Sequence, residues 1–183
     1  LACGLHLGRV AKRMVENLQA PFRKIAAKGT AFPEQMGGII IVDAAAPDQV
    51  GIDLPDVPRL ILDHHATNGW EIRDGDIMIQ WDVRATTEMI ATYMLEYAKE
   101  ALTEPVRKML LAGMITDTGR FRHANASSFS ITTKLLEDSS IDYAEFCEQI
   151  EREETSPSER GSLLRGLARS KHHDAGPWSL VTT

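Results

Sequence analysis

An apolar run that ends in an acid and two adjacent histidines constrains this chain more than any other stretch. The run reads LILDHHATN over residues 60–68, and Pro58 stands shortly before it. A short apolar run with these flanks is typical of a buried strand in a parallel sheet. Because open parallel sheets bind ligands at the carboxyl ends of their strands, the run predicts that Asp63, His64 and His65 lie at that edge.

Two other apolar segments also end in an aspartate. GIIIVD ends at Asp43, and GMITD ends at Asp117. A single aspartate of this kind is weak evidence, because aspartate commonly begins a turn after a strand. Three of them, one followed by two histidines, predict acids gathered at one edge of a sheet, where carboxylate and imidazole groups favour a metal ion. The alternative is a set of turn-forming or helix-capping aspartates beside solvated histidines.

The remaining patterns predict further strands and helices. One helix face is formed by Leu7, Val10, Met14 and Leu18. Residues 44–49 are predicted to form a loop, and residues 77–81 an edge strand. Other helices are predicted to be capped by Thr86, Thr103, Ser127 or Ser128, Asp142 and Ser156. For Thr86 we favour capping over phosphate binding, and we expect His172-His173-Asp174 to be a solvated helix end.

Three segments together resemble the motifs of a known superfamily. LILDHHATN is similar to the signature of the DHH phosphoesterases, which include RecJ-type exonucleases, nanoRNase/pAp-phosphatases, cyclic-dinucleotide phosphodiesterases and manganese pyrophosphatases. IIIVD resembles the second motif of that superfamily, and AGMITDTGRF resembles the fourth. The longer run TDTGRFRHAN is most similar to the nanoRNase/pAp-phosphatase branch. The resemblance covers the chain from Leu1 to about Ser170.

The resemblance implies an α/β fold, with a parallel sheet sandwiched by helices in a Rossmann-like DHH domain. We expect this catalytic domain to span residues 1–175. Residues 176–183 would then be a linker or the first strand of a missing C-terminal substrate-binding domain. The first motif of the superfamily, a histidine and two aspartates, is absent from the sequence, and LACGLHL over residues 1–7 resembles the helix that follows it. The chain is therefore expected to be the interior of a longer protein.

The resemblance also implies roles for the candidate site residues. Asp43 would bridge two ions, and His64 and Asp117 would bind one of them. His65 would face the substrate phosphate, while Asp63 would orient an imidazole through its other ring nitrogen. Mixed histidine and carboxylate ligation suits Mn²⁺, with Mg²⁺ as an alternative.

A polar and basic loop follows Asp117. Because arginine matches phosphate bidentately, the loop predicts substrate phosphate recognition. A solvated basic loop is the alternative. The predicted substrate-binding residues are His65, Asn68, Arg120, Arg122, His123 and Asn125.

Composition limits the partners of the protein. The net charge of −6 argues against gripping long nucleic acid through phosphate charge, but it leaves short RNA, short DNA or a nucleotide as substrate. The two cysteines are too few for a disulfide framework and suggest a reducing compartment, so we expect a cytoplasmic protein. No run approaches the length of a membrane span, and we expect no membrane association. A homodimer remains open.

The sequence thus predicts a metal-dependent phosphoesterase that hydrolyses short oligonucleotides or nucleotides by a two-metal mechanism. Within the same class, a manganese pyrophosphatase or a single-strand exonuclease is the alternative. A nucleotide-binding module without catalytic activity is the rival from a different class. A plain Rossmann-like domain without a metal is the third reading.

Overall fold

The computed structural model describes residues 2–3, 7–18, 23–24, 32–151 and 156–182. The chain forms two compact units, Leu1–Ile150 and Glu151–Thr183. The expected boundary at residue 175, between the catalytic domain and the segment that follows it, stays a prediction. Each unit is described by itself.

The first unit begins with two short strands and a helix. Strand β1 (Ala2–Cys3) pairs in parallel with strand β2 (Arg23–Lys24), and helix α1 (Arg9–Asn17) lies between them in sequence. The expected helix over residues 1–7 is wrong at Ala2–Cys3, because these residues pair as a strand. Glycine disfavours helix, and α1 begins only after its N-cap, Gly8. The predicted apolar face is confirmed at Met14, which is buried in the helical core, and at Val10 and Leu18, which pack against that core, whereas Leu7 lies before α1.

A parallel three-stranded sheet confirms the expected α/β class. It contains β3 (Ile39–Val42), β4 (Arg59–Asp63) and β5 (Ile77–Gln80) in that spatial order. Strand β5 lies at an edge, as predicted. All three strands point the same way, so the residues that follow them meet at one end of the sheet.

The connection between β3 and β4 is short. Helix α2 (Pro47–Val50) occupies part of the segment that was predicted to be a loop, and Gly51 ends it in the left-handed conformation. One face of the sheet packs against this connection through a buried cluster of Ile41, Ala44, Ile61 and Trp70. On the opposite face, Ile40 and Ile77 are 68% and 59% exposed.

A charged cluster closes the amino end of the sheet. The Arg59 guanidinium bonds to Oδ2 of Asp76, whose side chain is fully buried, with an Nε–Oδ2 distance of 3.0 Å. Asp76 also accepts hydrogen bonds from the backbone N–H groups of Arg59 and Arg73, both at 2.9 Å. The hydrogen bond from Arg59 holds the pKa of Asp76 far below its usual range. Arg59 also lies over the ring of Trp70, 5.4 Å from its centroid.

Four helices follow the sheet in the chain: α3 (Thr86–Tyr97), α4 (Glu104–Asp117), α5 (Ala126–Leu136) and α6 (Tyr143–Glu151). Helix α3 packs against α4 and α5, around a core that includes Leu111, Met114, Leu135 and Phe146. Two of the predicted helix starts are confirmed. Thr103 occupies the N-cap position of α4 with proline in the first turn, although its side chain makes no capping hydrogen bond. Asp142 accepts a hydrogen bond from the Glu145 N–H at 3.0 Å.

Two other helix starts differ from the prediction. Helix α3 begins after Ala85, which gives no side-chain cap, and the Thr86 hydroxyl is directed elsewhere. Helix α5 is capped by Asn125, and the Ser128 hydroxyl accepts a hydrogen bond from the Asn125 N–H in a capping box. A hydroxyl can cap a helix or bond across the fold, and the local sequence does not distinguish these outcomes.

Helices α3 and α4 approach each other closely at Gly113. A Cβ atom built on Gly113 would overlap Cγ2 of Thr87. The absence of a side chain at Gly113 therefore sets how near the two helices lie.

The second unit contains helix α7 (Pro157–Arg169) and an antiparallel hairpin of β6 (Lys171–Ala175) and β7 (Trp178–Thr182). The predicted capping box of Ser156 and Glu159 is confirmed. His172-His173-Asp174 belongs to β6, so its assignment to a helix end is wrong. These residues are exposed, and Gly176 makes the turn at φ +65° that returns the chain as β7. Within the described residues, no helix is long and apolar enough to cross a membrane.

Candidate metal centre

Asp43 follows β3 in an uncommon backbone conformation. Its φ angle is +58°, in the left-handed region that aspartate tolerates better than most residues. Its N–H donates to the Leu62 carbonyl at 3.0 Å, which ties the residue to β4. The hydroxyl of the buried Thr86 donates to Oδ1 of Asp43 at 2.8 Å. The carboxylate is thus held by a side chain from the first turn of α3.

His64 follows β4 and turns its imidazole toward Asp43. Its Nδ1 lies 3.3 Å from the Val83 carbonyl oxygen, and its Nε2 lies 3.4 Å from Oδ1 of Asp43. A carbonyl partner at Nδ1 favours the tautomer with the proton on that nitrogen. The lone pair of Nε2 is then free, which is the arrangement found in metal-binding histidines.

His65 is fixed by its neighbour Asp63. The fully buried Asp63 has Oδ1 2.7 Å from Nδ1 of His65, and the Gln80 side-chain amide donates to the His65 carbonyl. The hydrogen bond with Asp63 raises the pKa of His65. The negative charges of Asp63, Asp43 and Asp117 raise it further, and burial of the ring lowers it. Oδ2 of Asp63 has no hydrogen-bond partner among the described residues. The hydrogen bond of the Asp63 carboxylate therefore orients the His65 imidazole.

The three side chains converge. One ligand atom from each of Asp43, His64 and His65 lies within 4.8 Å of the other two. In the described part of the chain, this is the one group of three such residues at that spacing. A carboxylate oxygen and imidazole nitrogens match divalent ions such as Mn²⁺. The donor set and the orientation of His64 therefore fit a metal ion.

Asp117 lies outside this group of three, at the end of α4. Partial burial raises its pKa, and the negative charge of Asp43 raises it further. The nearby His64 and His65 act in the opposite direction. The charges of Asp43, His64 and His65 therefore all act on the Asp117 carboxyl group. Its role as a ligand beside Asp43 and His64 stays a prediction.

The loop after Asp117 has an unusual backbone. Gly119, Arg120 and Phe121 have φ angles of +56°, +59° and +63°. The fully buried Thr118 stabilises them, because its hydroxyl accepts the Phe121 N–H at 2.9 Å and donates to the Met114 carbonyl at 2.6 Å. Consecutive non-glycine residues in this region are costly, and such strain concentrates at functional sites.

The predicted substrate-binding residues are mostly accessible. Asn68, Arg120, Arg122 and His123 are exposed. Asn125 is different, because its Oδ1 accepts the Ser128 N–H at 3.0 Å as the cap of α5. The structure brings His65 to Asp43 and His64. It leaves the phosphate-binding roles of these residues as predictions.

Sequence reasoning missed the partners that orient the cluster. Thr86 was interpreted as a helix cap, and neither the Val83 carbonyl nor Gln80 was singled out. Val83 offers only a backbone atom, which a side-chain pattern does not reveal. Thr86 stands 43 residues from Asp43, so only the fold shows that the two are in contact.

No family model matches the sequence. The fold is similar to that of an exopolyphosphatase-related protein from Bacteroides fragilis, with a TM-score of 0.62 and 16% identity over 87% of this chain and 55% of that one. It is also similar to a putative family II inorganic pyrophosphatase from Methanococcus jannaschii, with a TM-score of 0.57 and 18% identity over 79% of this chain and 49% of that one. The chain thus spans about half the length of each of these proteins. It shares their α/β fold.

Proposed function

We propose that this chain carries the catalytic site of a metal-dependent phosphoesterase that acts on short oligonucleotides or nucleotides. The observation that supports this most is the convergence of Asp43, His64 and His65 at the carboxyl end of a parallel sheet. The names of the two similar proteins, an exopolyphosphatase-related protein and a putative inorganic pyrophosphatase, agree with chemistry on phosphate groups.

Asp43, His64 and Asp117 are the residues that would hold a divalent ion, with Mn²⁺ as the first choice and Mg²⁺ as the alternative. When bound, such an ion neutralises charge on phosphate oxygens and provides an activated water. The protein supplies the orientation of the ligands. Thr86 holds the Asp43 carboxylate, and the Val83 carbonyl keeps Nε2 of His64 directed at Asp43.

His65 is suited to the substrate phosphate. Asp63 fixes its Nδ1 and raises its pKa, which favours the charged imidazolium with its second N–H free to donate. Arg120, Arg122 and His123 would add donors to phosphate oxygens from the strained loop. Asn68 and Asn125 are the polar side chains proposed to contact the rest of the substrate.

Hydrolysis of pyrophosphate is the second candidate activity, favoured by the name of the Methanococcus jannaschii protein. A non-catalytic nucleotide-binding module is the third candidate. These candidates differ in the substrate that they would convert.

The test measures phosphate or nucleotide release by the purified chain with Mn²⁺. The substrates are a two-nucleotide RNA, adenosine 3′,5′-bisphosphate and pyrophosphate. We expect release from at least one of the first two, and none after chelation of the metal. Asp43→Asn is the inactive variant. Asp48→Asn removes an exposed acid of α2 and is the matched control.

The other outcomes separate the candidates. Release from pyrophosphate alone would replace the proposed substrate class with the second candidate. Saturable Mn²⁺ binding without release from any substrate would overturn the phosphoesterase proposal for this chain and support the nucleotide-binding module. Release that persists in Asp43→Asn would place the chemistry elsewhere.

A further inference from the structure

Glu88 is a buried acid that neither the proposed metal ligands nor the proposed substrate contacts include. It lies in the first turn of α3 and is 1% exposed. The described residues form no ion pair with it, and its Oε2 has no hydrogen-bond partner among them. A buried carboxylate without a cation is costly, and the positive end of a helix offsets only part of that cost. Such a group calls for a reason beyond packing.

The other carboxylate oxygen, Oε1, connects two parts of the candidate site. It accepts the Arg84 N–H at 3.2 Å and the Ser128 hydroxyl at 2.7 Å. Arg84 lies between Val83, which orients His64, and Thr86, which holds Asp43. The first of these hydrogen bonds therefore reaches the segment that supports the metal cluster.

The second hydrogen bond reaches the substrate loop. Ser128 is fully buried, and its backbone N–H and hydroxyl both bond to Asn125 in the capping box of α5. Asn125 ends the loop that begins at Gly119. Oε1 of Glu88 thus accepts one hydrogen bond from the segment that orients the metal ligands, through the Arg84 N–H. It accepts another from Ser128, which holds the end of the proposed phosphate-binding loop.

We propose that Glu88 is a positioning residue that holds the loop ending at Asn125 at a fixed place relative to the metal cluster. This inference rests on the proposed function, because it assigns the loop to phosphate binding. Glu88 does not touch substrate or metal in this assignment. It acts through Ser128 on the loop and through the Arg84 N–H on the metal ligands.

The test measures binding of inorganic phosphate to the Mn²⁺-loaded chain by calorimetry, with Mn²⁺ affinity and Tm measured alongside. In Ser128→Ala we expect phosphate affinity to fall about tenfold, which is typical of losing a buried hydrogen bond to a charged group. Mn²⁺ affinity should stay the same, because the Arg84, Val83 and Thr86 contacts remain. In Glu88→Ala both affinities should fall.

Two variants distinguish positioning from a structural role. Glu88→Gln keeps an oxygen that can accept both hydrogen bonds, so we expect it to retain wild-type phosphate and Mn²⁺ affinity. Thr132→Val removes another buried hydroxyl of α5, which contacts the Ser128 carbonyl of the same helix at 2.8 Å and the Met114 sulfur of α4 at 3.9 Å, but neither Glu88 nor Asn125. It should lower neither affinity, whatever it does to Tm.

Several results would overturn the inference. Wild-type phosphate affinity in a folded Ser128→Ala would show that the connection to the loop is not used. Loss of affinity in a folded Glu88→Gln would show that the charge acts, rather than the hydrogen bonds. Binding of Mn²⁺ without any phosphate binding by the wild type would leave Glu88 nothing to position. Absence of hydrolysis with phosphate binding intact would overturn only the proposed function.

Discussion

Each end of the three-stranded sheet contains an aspartate whose side chain is fully buried, but the surroundings of these two acids differ. At the amino end, Asp76 is bonded to the Arg59 guanidinium and to two backbone N–H groups. At the carboxyl end, Asp63 bonds to the His65 ring and has an oxygen without a partner among the described residues. Asp43, beside it, has its backbone in the left-handed region.

The difference indicates which end serves stability and which serves chemistry. Buried polar groups in proteins are normally satisfied, and exceptions together with backbone strain concentrate at functional sites. At the amino end, the buried carboxylate has its hydrogen bonds. At the carboxyl end, Oδ2 of Asp63 lacks a partner among the described residues, and the backbone of Asp43 is strained. Variants at the carboxyl end should therefore change ligand binding more than stability, and variants at the amino end should do the reverse.

The largest expected effect is that of Asp43→Asn. We expect Mn²⁺ affinity to fall by about a hundredfold or more, at or beyond the upper end for groups that orient a metal ligand. The Tm of the metal-free protein should stay the same or rise, because the charge of Asp43 disfavours ionisation of Asp117. Calorimetric titration and thermal unfolding measure the two quantities. A large fall in Tm without a change in Mn²⁺ affinity would reverse the assignment of the two ends.

Thr86→Val should have the next largest effect on the metal centre. The substitution keeps the shape of the side chain and removes the hydroxyl that donates to Asp43. We expect Mn²⁺ affinity to fall about tenfold. Thr87→Val is the matched control, since the buried Thr87 hydroxyl has no hydrogen-bond partner among the described residues and its removal should be neutral or stabilising. Equal Mn²⁺ affinities in the two variants would contradict a role for Thr86.

Asp76→Asn should break the amino end and spare the carboxyl end. It removes the negative charge beside Arg59, whose side chain is only 10% exposed. We expect Tm to fall by roughly 5 °C or more. Mn²⁺ affinity, measured at a temperature where the variant is folded, should be unchanged. Asp74→Asn, a change to an exposed neighbour, should leave both quantities unaltered, and weakened Mn²⁺ binding in Asp76→Asn would show that the two ends are coupled.

The smallest effects concern pH, and their signs differ between the two ends. The folded pKa of Asp76 lies below the ordinary value of 3.8, so its contribution to stability is complete above that value and is lost as pH falls through the folded pKa. The pKa of His65 is raised above 6.5, so its contribution is complete below that value and is lost as pH rises through the folded pKa.

Urea unfolding of the metal-free protein over a pH series tests both signs. The difference in free energy of unfolding between wild type and Asp76→Asn should be constant from neutral pH down to about 4 and should shrink below it. The difference between wild type and His65→Gln should shrink as pH rises above about 6.5. A His65→Gln difference that grows in that range would show that the Asp63–His65 hydrogen bond does not stabilise the imidazolium.

Much of this arrangement could be predicted because it is local in the sequence. The runs before Asp43 and Asp63 are apolar and short, so they predict buried parallel strands, and the rule for the carboxyl ends of strands then brings Asp43 and His64 together. Helix α4 was predictable in the same way, since Thr103 and Pro105 start it and an apolar stripe continues to Asp117.

The rest depends on contacts between distant residues. The Thr86 hydroxyl could have capped its own helix, and only the packing of α3 against the sheet offers it Asp43 instead. Asn125 precedes two serines that are equally good caps, and only the structure shows that Asn125 is the cap and that Ser128 completes the capping box. His172 to Asp174 have no apolar pattern, so nothing local indicates that β7 pairs with them.

The close approach at Gly113 also bears on how the site could be lost. Gly113 lies within α4, one turn before Asp117, and belongs neither to the cluster of Asp43, His64 and His65 nor to the loop after Asp117. It nevertheless controls the gap between the helix that ends in Asp117 and the helix that supports Asp43 through Thr86. A methyl group at this position would drive the two helices apart and increase the distance between Asp43 and Asp117, although every ligand residue would still be present in the sequence. An intact set of ligands in a related sequence is therefore not sufficient for an intact site when residue 113 is larger than glycine.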